Sequence, residues 1–178
     1  MKIRHLLIGS CVPALVAALP CAAFAQVEVT DAQTNTVSTS TAGDGGAAAD
    51  VTITSTGSVT VESGAAVELD SDNALINDGT ISSTDNDDVT GVLISGGNTG
   101  SFSNIGAINI TEANDAAFTD GLIPDGGDIT VGSGRTGILI SGGGFTGNVE
   151  NSATGGSISV RGQDSAGIRL AATASITG

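Results

Sequence analysis

The sequence has few of the residues on which compact enzymes and nucleic-acid-binding proteins depend. Among 178 residues there is no Trp, no Tyr and only 4 Phe, so the aromatic side chains that dominate ordinary cores are scarce. Five Lys and Arg residues stand against 19 Asp and Glu, a formal net charge of −14. Affinity for phosphate backbones rests on Lys and Arg, so this balance excludes nucleic acid as a partner. A hydrophobic content of 39% is nevertheless too high for a chain that is disordered throughout.

Residues 1–25 have the features of a secretory signal peptide. Lys2 and Arg4 form a positive start, and an apolar run follows that Pro13 and Pro20 keep shorter than a membrane-spanning helix needs. Small residues then stand at Ala23 and Ala25, the −3 and −1 positions of a cleavage site before Gln26. We therefore predict export through the Sec machinery and cleavage between Ala25 and Gln26.

Cleavage there removes nearly all the side chains of nucleophilic and metal-binding chemistry. The remaining 153 residues contain no Cys, His, Lys, Met or Tyr, and three arginines face all 19 acids, a formal charge of −16. A disulfide, a Ser/His/Asp or Cys/His catalytic set and a Cys/His zinc site are all excluded. A small exported chain without disulfides needs another source of stability, and repetition is one.

From Asp50 onwards the chain alternates in short runs. Val51-Thr52-Ile53-Thr54 and Val59-Thr60-Val61-Glu62 have a period of two, and Gly, Asn and Asp turn the chain every 8–12 residues. This pattern predicts an all-β fold over residues 49–178, with the glycine runs at 96–97 and 142–144 as corner turns. Residues 26–48 have few large aliphatics and are predicted to form either a flexible leader or an N-terminal edge.

Internal repetition is the strongest feature of the sequence. Residues 90–97 read Thr-Gly-Val-Leu-Ile-Ser-Gly-Gly, and residues 136–143 repeat this with one Val-to-Ile change, 46 positions further on. A shorter copy, Ala-Gly-Ile-Arg-Leu, lies at 166–170. Each of the two long copies is followed by a segment that ends in Asn, at Asn104 and Asn151, and then by an alternating run.

A parallel β-helix, or β-solenoid, explains both the repeats and the composition. Equivalent strands stack about 4.8 Å apart, so like residues align in columns of Val, Ile and Leu and aromatics are not required. Glycine and Asn suit the corners. An ordinary β-sandwich is the alternative, but its core normally holds an anchoring Trp or Tyr. We therefore predict a β-solenoid.

The signal peptide, the acidic Ser/Thr/Gly-rich chain and the units at 77–81 and 90–97 together resemble the passenger domains of bacterial autotransporters, exported by type V secretion. The resemblance implies a right-handed β-helix on the surface of a Gram-negative cell, a structural or adhesive role, and a ligand on a host or neighbouring cell. It also implies a C-terminal outer-membrane β-barrel, which nothing in these residues can form. We expect the solenoid to be incomplete at its C-terminus.

Two chemical alternatives remain open. Some β-helix proteins degrade polysaccharides with paired carboxylates, so the chain is alternatively the N-terminal part of such an enzyme whose active residues lie outside it. Within this chain we predict no catalytic, cofactor or metal residues, because its acids sit mainly in turns. The run Asp85-Asn86-Asp87-Asp88 and the segment at 70–73 offer hard oxygen ligands of the kind calcium prefers, which leaves a weak calcium site open.

Overall fold

The computed structural model describes residues 25–112 and 132–178, and these ranges are all-β. They contain seventeen strands and a three-residue 3₁₀-helix at Asp44–Gly46. The strands are β1 (Gln26–Val29), β2 (Ala32–Gln33), β3 (Val37–Ser38), β4 (Asp50–Ile53), β5 (Ser58–Thr60), β6 (Ala65–Leu69), β7 (Ala74–Asn77), β8 (Thr80–Thr84), β9 (Thr90–Ile94), β10 (Ser101–Asn104), β11 (Ala107–Thr111), β12 (Thr136–Ile140), β13 (Gly143–Thr146), β14 (Val149–Asn151), β15 (Ser157–Val160), β16 (Ala166–Leu170) and β17 (Ala174–Thr177).

Three five-stranded sheets hold most of these strands. Sheet A has the order β1-β4-β7-β10-β14, sheet B the order β15-β11-β8-β5-β2 and sheet C the order β16-β12-β9-β6-β3. The chain passes through the sheets in turn, and every pairing is parallel. We call one passage through sheets A, B and C a coil. The predicted all-β fold of stacked parallel strands is confirmed, in an arrangement consistent with a β-solenoid.

The strand register coincides with the sequence repeats. Val92 in β9 pairs with Ile138 in β12, which pairs in turn with Ile168 in β16, so all three copies of the repeat lie on one another in sheet C. In sheet A, Asn104 is the register partner of Asn151. Similarity between the copies therefore reflects equivalent places in successive coils.

Aliphatic columns fill the interior between the sheets. In strands such as β4, β7 and β11, buried residues alternate with partly exposed ones. Val51, Leu75 and Phe102 form one such column in sheet A, each at most 1% exposed. Phe145 in β13 is also fully buried. The core is therefore mainly aliphatic, as the composition indicates, with two phenylalanines inside it.

Glycine at the second position of the repeat makes room for the opposite sheet. A Cβ built on Gly91 would lie 2.7 Å from the Cγ2 atom of Ile108, and one on Gly137 would lie 2.6 Å from the Cγ2 of Ile158. Both isoleucines come from sheet B and point towards sheet C. A side chain at either glycine would displace the core.

One region differs from the sequence pattern, and a second has the form of one of its two predicted alternatives. Residues 142–144, predicted as a corner turn, enter strand β13, which pairs with β17 to form a separate two-stranded sheet. The segment predicted as a flexible leader or edge, 26–48, contains β1–β3, each paired with a strand of the next coil. No helix within the two described ranges is long and apolar enough to span a membrane.

Candidate functional site: the Arg135 corner

Arg135 is the one charged residue that is buried in the described ranges, with 1% of its surface exposed. It directly precedes β12, at the corner where the chain passes from sheet B to sheet C. The corresponding corners of the coils on either side run from Asp85 to Val89 and from Arg161 to Ser165. Arg135 therefore lies in the middle of three stacked corners.

The guanidinium group of Arg135 connects all three levels. Its Nη1 donates to Oε2 of Glu112 at 2.7 Å within its own coil, and to the carbonyl oxygen of Arg161 at 3.0 Å in the next. Its Nε donates to the carbonyl oxygen of Asn86 at 2.7 Å in the preceding coil, and Nη2 lies 3.5 Å from Oδ1 of Asp87. One side chain thus cross-links three consecutive coils.

Glu112 completes the cluster. It is the last described residue before 113–131, and it contacts Gly132, the first described residue after them. Its side chain is 9% exposed, and its Oε2 also accepts the backbone N–H of Gly132 at 2.8 Å. A buried pair of this kind is expensive to break, because removing one partner leaves an uncompensated charge. The three guanidinium nitrogens of Arg135 are all engaged by the protein. The cluster therefore holds neighbouring coils together.

The acidic run considered for calcium lies at the same corner, and the carboxylate of Asp87 within it is engaged by the protein. Oδ1 of Asp87 accepts the backbone N–H of Ser133 at 2.8 Å as well as facing Arg135. Asp85 and Asp88 have positive φ angles, 61° and 55°, so they form the turn itself. Within the described residues, no group of three or more His, Cys, Asp or Glu side chains is placed to hold a metal ion.

Asp70, in the other segment considered for calcium, binds hydroxyl groups of the preceding coil. Its carboxylate accepts hydrogen bonds from the hydroxyls of Ser38, Thr39 and Ser40 at 2.7–3.1 Å and from the N–H of Ser40 at 2.9 Å. Burial pushes the pKa of Asp70 upward, but these donors outweigh it and hold the pKa below its usual value. Burial and then the nearby charge of Asp70 raise the pKa of Glu68.

A ladder of asparagine side chains runs across sheet A, at the C-terminal ends of β7, β10 and β14. Nδ2 of Asn77 donates to Oδ1 of Asn104 at 2.7 Å, and Nδ2 of Asn104 donates to Oδ1 of Asn151 at 2.7 Å. Asn77 and Asn104 are fully buried. The ladder ends at Asn77, whose Oδ1 has no hydrogen-bond partner because the next position of the column is Ile53. Asn104 and Asn151 already stood out in the sequence repeat, whereas the Arg135 cluster had no repeat to mark it.

Two concave spaces of the described surface lie near the first coil. One cavity of about 400 Å³ is lined in part by Val27, Val29, Val37 and Ala42 and by the acids Glu28 and Asp31. A second, of about 520 Å³, lies beside Thr60 and Glu62 and contains one acid. Neither brings together the carboxylates of the acidic turns at 70–73 and 85–88.

The predicted cleavage site lies at the start of the first strand. Gln26 begins β1, and the carbonyl oxygen of Ala25 accepts the N–H of Asp50 at 2.8 Å. Ala23 lies outside the described residues. Cleavage after Ala25 stays a prediction, and it would leave β1 whole.

Comparison with known proteins adds no relative: no protein-family model, no curated protein and no solved structure matches the chain.

Proposed function

We propose that the chain is an exported β-solenoid of the autotransporter passenger type, which serves in structural display or adhesion at a Gram-negative cell surface. In this proposal the coils wind right-handedly, the Sec machinery exports the chain, and an outer-membrane β-barrel anchors it from sequence beyond these residues. The ligand is a component of a host or neighbouring cell surface.

The continuous stacking of three parallel sheets is the observation that carries the proposal. Each sheet runs from the first coil to the last through five strands, which gives the described molecule continuous lateral faces of stacked strands. Such repeat architectures offer extended surfaces for binding. The outward residues of sheet B, such as Thr60, Thr80 and Ser82, are small and polar.

The arrangement of the acids favours a binding role over catalysis. Glycoside hydrolysis needs two carboxyl groups on either side of one bond, within about 5–10 Å of each other. Among the described residues, Asp87 and Glu112 are committed to Arg135, and Asp70 is committed to hydroxyls. These carboxylates stabilise neighbouring coils.

Export is tested by expressing the full chain in a Gram-negative host and determining the N-terminus of the periplasmic product by mass spectrometry. We expect a product that begins at Gln26. The matched variant Ala25→Arg keeps the apolar run but places a large charged residue at the −1 position, and we expect it to accumulate as precursor. A cytoplasmic chain that retains Met1 would overturn the export proposal.

Adhesion is tested separately with the processed chain coupled to beads and applied to bacterial cells, epithelial cells and immobilised polysaccharides. Retention of the beads above those coated with urea-unfolded chain supports adhesion. The same polysaccharides are assayed for new reducing ends and unsaturated sugars. Chain cleavage would replace the proposal with the enzyme alternative, and absence of retention on every surface would contradict the adhesive role.

A further inference from the structure

The outward face of sheet C has an apolar centre between charges of opposite sign. One column of outward side chains crosses four neighbouring strands in register: Glu68 in β6, Leu93 in β9, Leu139 in β12 and Arg169 in β16. Leu93 and Leu139 are partly exposed and lie side by side, whereas the residues before and after each of them are buried. We call these four residues the outer column of sheet C, and its order is acid, leucine, leucine, base.

The equivalent columns on the other two sheets lack this arrangement. The column of sheet A has an acid at either end, and that of sheet B has no charge. The residues of the sheet A column are Glu28, Thr52, Ile76, Ser103 and Glu150. The residues of the sheet B column are Thr60, Ser82, Asn109 and Ser159. The outer column of sheet C is thus the one of the three that joins an apolar pair to opposite charges.

The two charges of this column do not meet within one chain. Glu68 and Arg169 are three strand spacings apart, about 14 Å. Among the described residues, the ion pairs to carboxylates are those of Arg135, and Arg169 instead donates to the carbonyl oxygen of Asp164 at 2.7 Å. Burial and then the nearby charge of Asp70 raise the pKa of Glu68. A cation opposite Glu68 would therefore favour its charged form.

The outer column of sheet C is complementary to a copy of itself turned end over end. A twofold axis parallel to the strands, midway between β9 and β12, brings two such faces together and reverses the order of one column. Leu93 then lies opposite Leu139 of the second copy, and Glu68 lies opposite Arg169 of the second copy. Because a twofold axis makes each contact twice, the four leucines form one apolar layer with an ion pair at either end.

The same charges oppose the other face-to-face arrangement. A twofold axis parallel to the stack of coils would place Glu68 opposite Glu68 and Arg169 opposite Arg169, and like charges in contact oppose association. The column of sheet A, with an acid at either end, is opposed in the same way when it is reversed. Ser95 and Ser141, two residues on from the leucines, are small and do not hold two faces of sheet C apart.

We propose that the chain forms a homodimer through the outward face of sheet C, with the coils of the two copies stacked in opposite directions. Leu93 and Leu139 form its centre, and Glu68 and Arg169 fix its orientation. Four strands of five residues cover about 19 by 17 Å. This area is below that of a stable interface, so we expect a weak dimer with a Kd in the micromolar to millimolar range. The inference concerns the folded chain in solution and depends neither on export nor on adhesion.

Charge reversal at the two ends of the column tests the dimer. The folded chain recovered after expression of the full sequence is examined by sedimentation equilibrium at low ionic strength, up to millimolar concentration. Glu68→Arg gives a column with a base at either end, and Arg169→Glu gives one with an acid at either end. Each variant alone should raise Kd at least about tenfold, because each dimer then contains two like-charge contacts.

Mixing the two variants is the sharpest measurement. Glu68→Arg and Arg169→Glu chains in equal amounts should form a one-to-one heterodimer at least as tight as the unaltered dimer, since every contact between them joins opposite charges. A variant that had merely lost its fold would not recover in this way. Glu150→Arg and Arg161→Glu make the same charge changes away from sheet C and should leave Kd unchanged. A mixture that does not associate, or association that neither charge variant weakens, would overturn the proposal.

The unaltered chain provides a second test if a charge variant does not fold. Its leucine side chains are oxidised by hydroxyl radicals at low and at millimolar concentration and are located by mass spectrometry. Oxidation of Leu93 and Leu139 should fall at least about threefold at the high concentration, where the dimer buries them. Ile76, outward on sheet A, is the matched control and should be oxidised equally at both. A chain that stays monomeric at millimolar concentration, with equal oxidation of the two leucines, would overturn the proposal.

Discussion

Ile138 and Ile168 occupy equivalent places in two copies of one sequence repeat, yet one is 1% exposed and the other 52%. Each follows a glycine at the second position of its strand and belongs to the same column of sheet C. The difference arises from the neighbour: β12 has a strand on both sides, whereas β16 has one on a single side. In a stack of coils, burial is thus decided by position in the stack and not by the local pattern.

The largest effect is expected at the Arg135 corner, which joins the inner coils to the last one. Replacing Arg135 with Met leaves the nearly buried Glu112 without its cation, and we expect a loss of about 3–5 kcal/mol in the free energy of unfolding. Urea denaturation of the processed chain measures it. The double variant Arg135→Met, Glu112→Leu should recover most of the loss. Equal losses in both would show that the uncompensated charge of Glu112 does not account for the loss.

Truncating Ile138 and Ile168 in separate variants tests the difference in their burial directly. Ile138→Ala removes a fully packed side chain and should cost about 2–5 kcal/mol. Ile168→Ala removes one that is already half in water and should cost less than about 1 kcal/mol. Both are measured by urea denaturation. Similar losses at the two positions would mean that β16 is covered in solution.

The asparagine ladder offers a polar version of the same comparison. Asn104→Ala removes the central rung and leaves groups of Asn77 and Asn151 without a partner, so we expect a loss of about 1–3 kcal/mol. Asn109→Ala is the matched control, because Asn109 faces outward from sheet B and should change stability by less than about 0.5 kcal/mol. Thermal unfolding compares the two, and equal effects would contradict the ladder's role.

The smallest effect concerns Asp70 and depends on pH. A carboxylate whose folded-state pKa is lowered stabilises the fold above its unfolded pKa, and this contribution disappears as the pH falls through the folded value. Asp70→Asn should therefore lower stability at pH 7, by less than about 1 kcal/mol given solvent screening, and the difference should shrink below the ordinary value of 3.8. Asp78→Asn, on the exposed corner, is the control. A difference between Asp70→Asn and wild type that grows towards low pH would contradict the assigned direction.

Much of the fold was accessible from sequence because repetition carries register information. The copies at 90–97 and 136–143 predicted stacked strands, and the paired rows of sheet C follow that alignment. The period-two alternation of apolar and polar residues in 50–69 predicted the strands that the structure has there, β4–β6. Strand β13 was missed because its glycines, at 143 and 144, are typical of turns and only its pairing with β17 makes it a strand.

The Arg135 cluster was not accessible in the same way. Its partners come from three different coils, at Asn86, Glu112 and Arg161, and a single arginine has no repeat by which to align it. The low number of cations did single out three arginines, but one is buried and the others are exposed. Which of them is buried depends on the stacking of corners, a property of tertiary structure.

The central claim, that residues one coil apart are neighbours in parallel register, is tested most directly by engineered cysteine pairs. The predicted mature chain has no Cys of its own, so a Thr60→Cys, Ser82→Cys variant reports one pair, in which the native hydroxyl oxygens are 2.9 Å apart. Thr60→Cys with Asn109→Cys places the thiols two coils apart in the same column, at about 9.6 Å between strands, beyond disulfide reach. Under mild oxidation the first pair should form an intramolecular disulfide and the second should not. Cross-linking of the Thr60–Asn109 pair in preference to the Thr60–Ser82 pair would contradict the stacked-coil account.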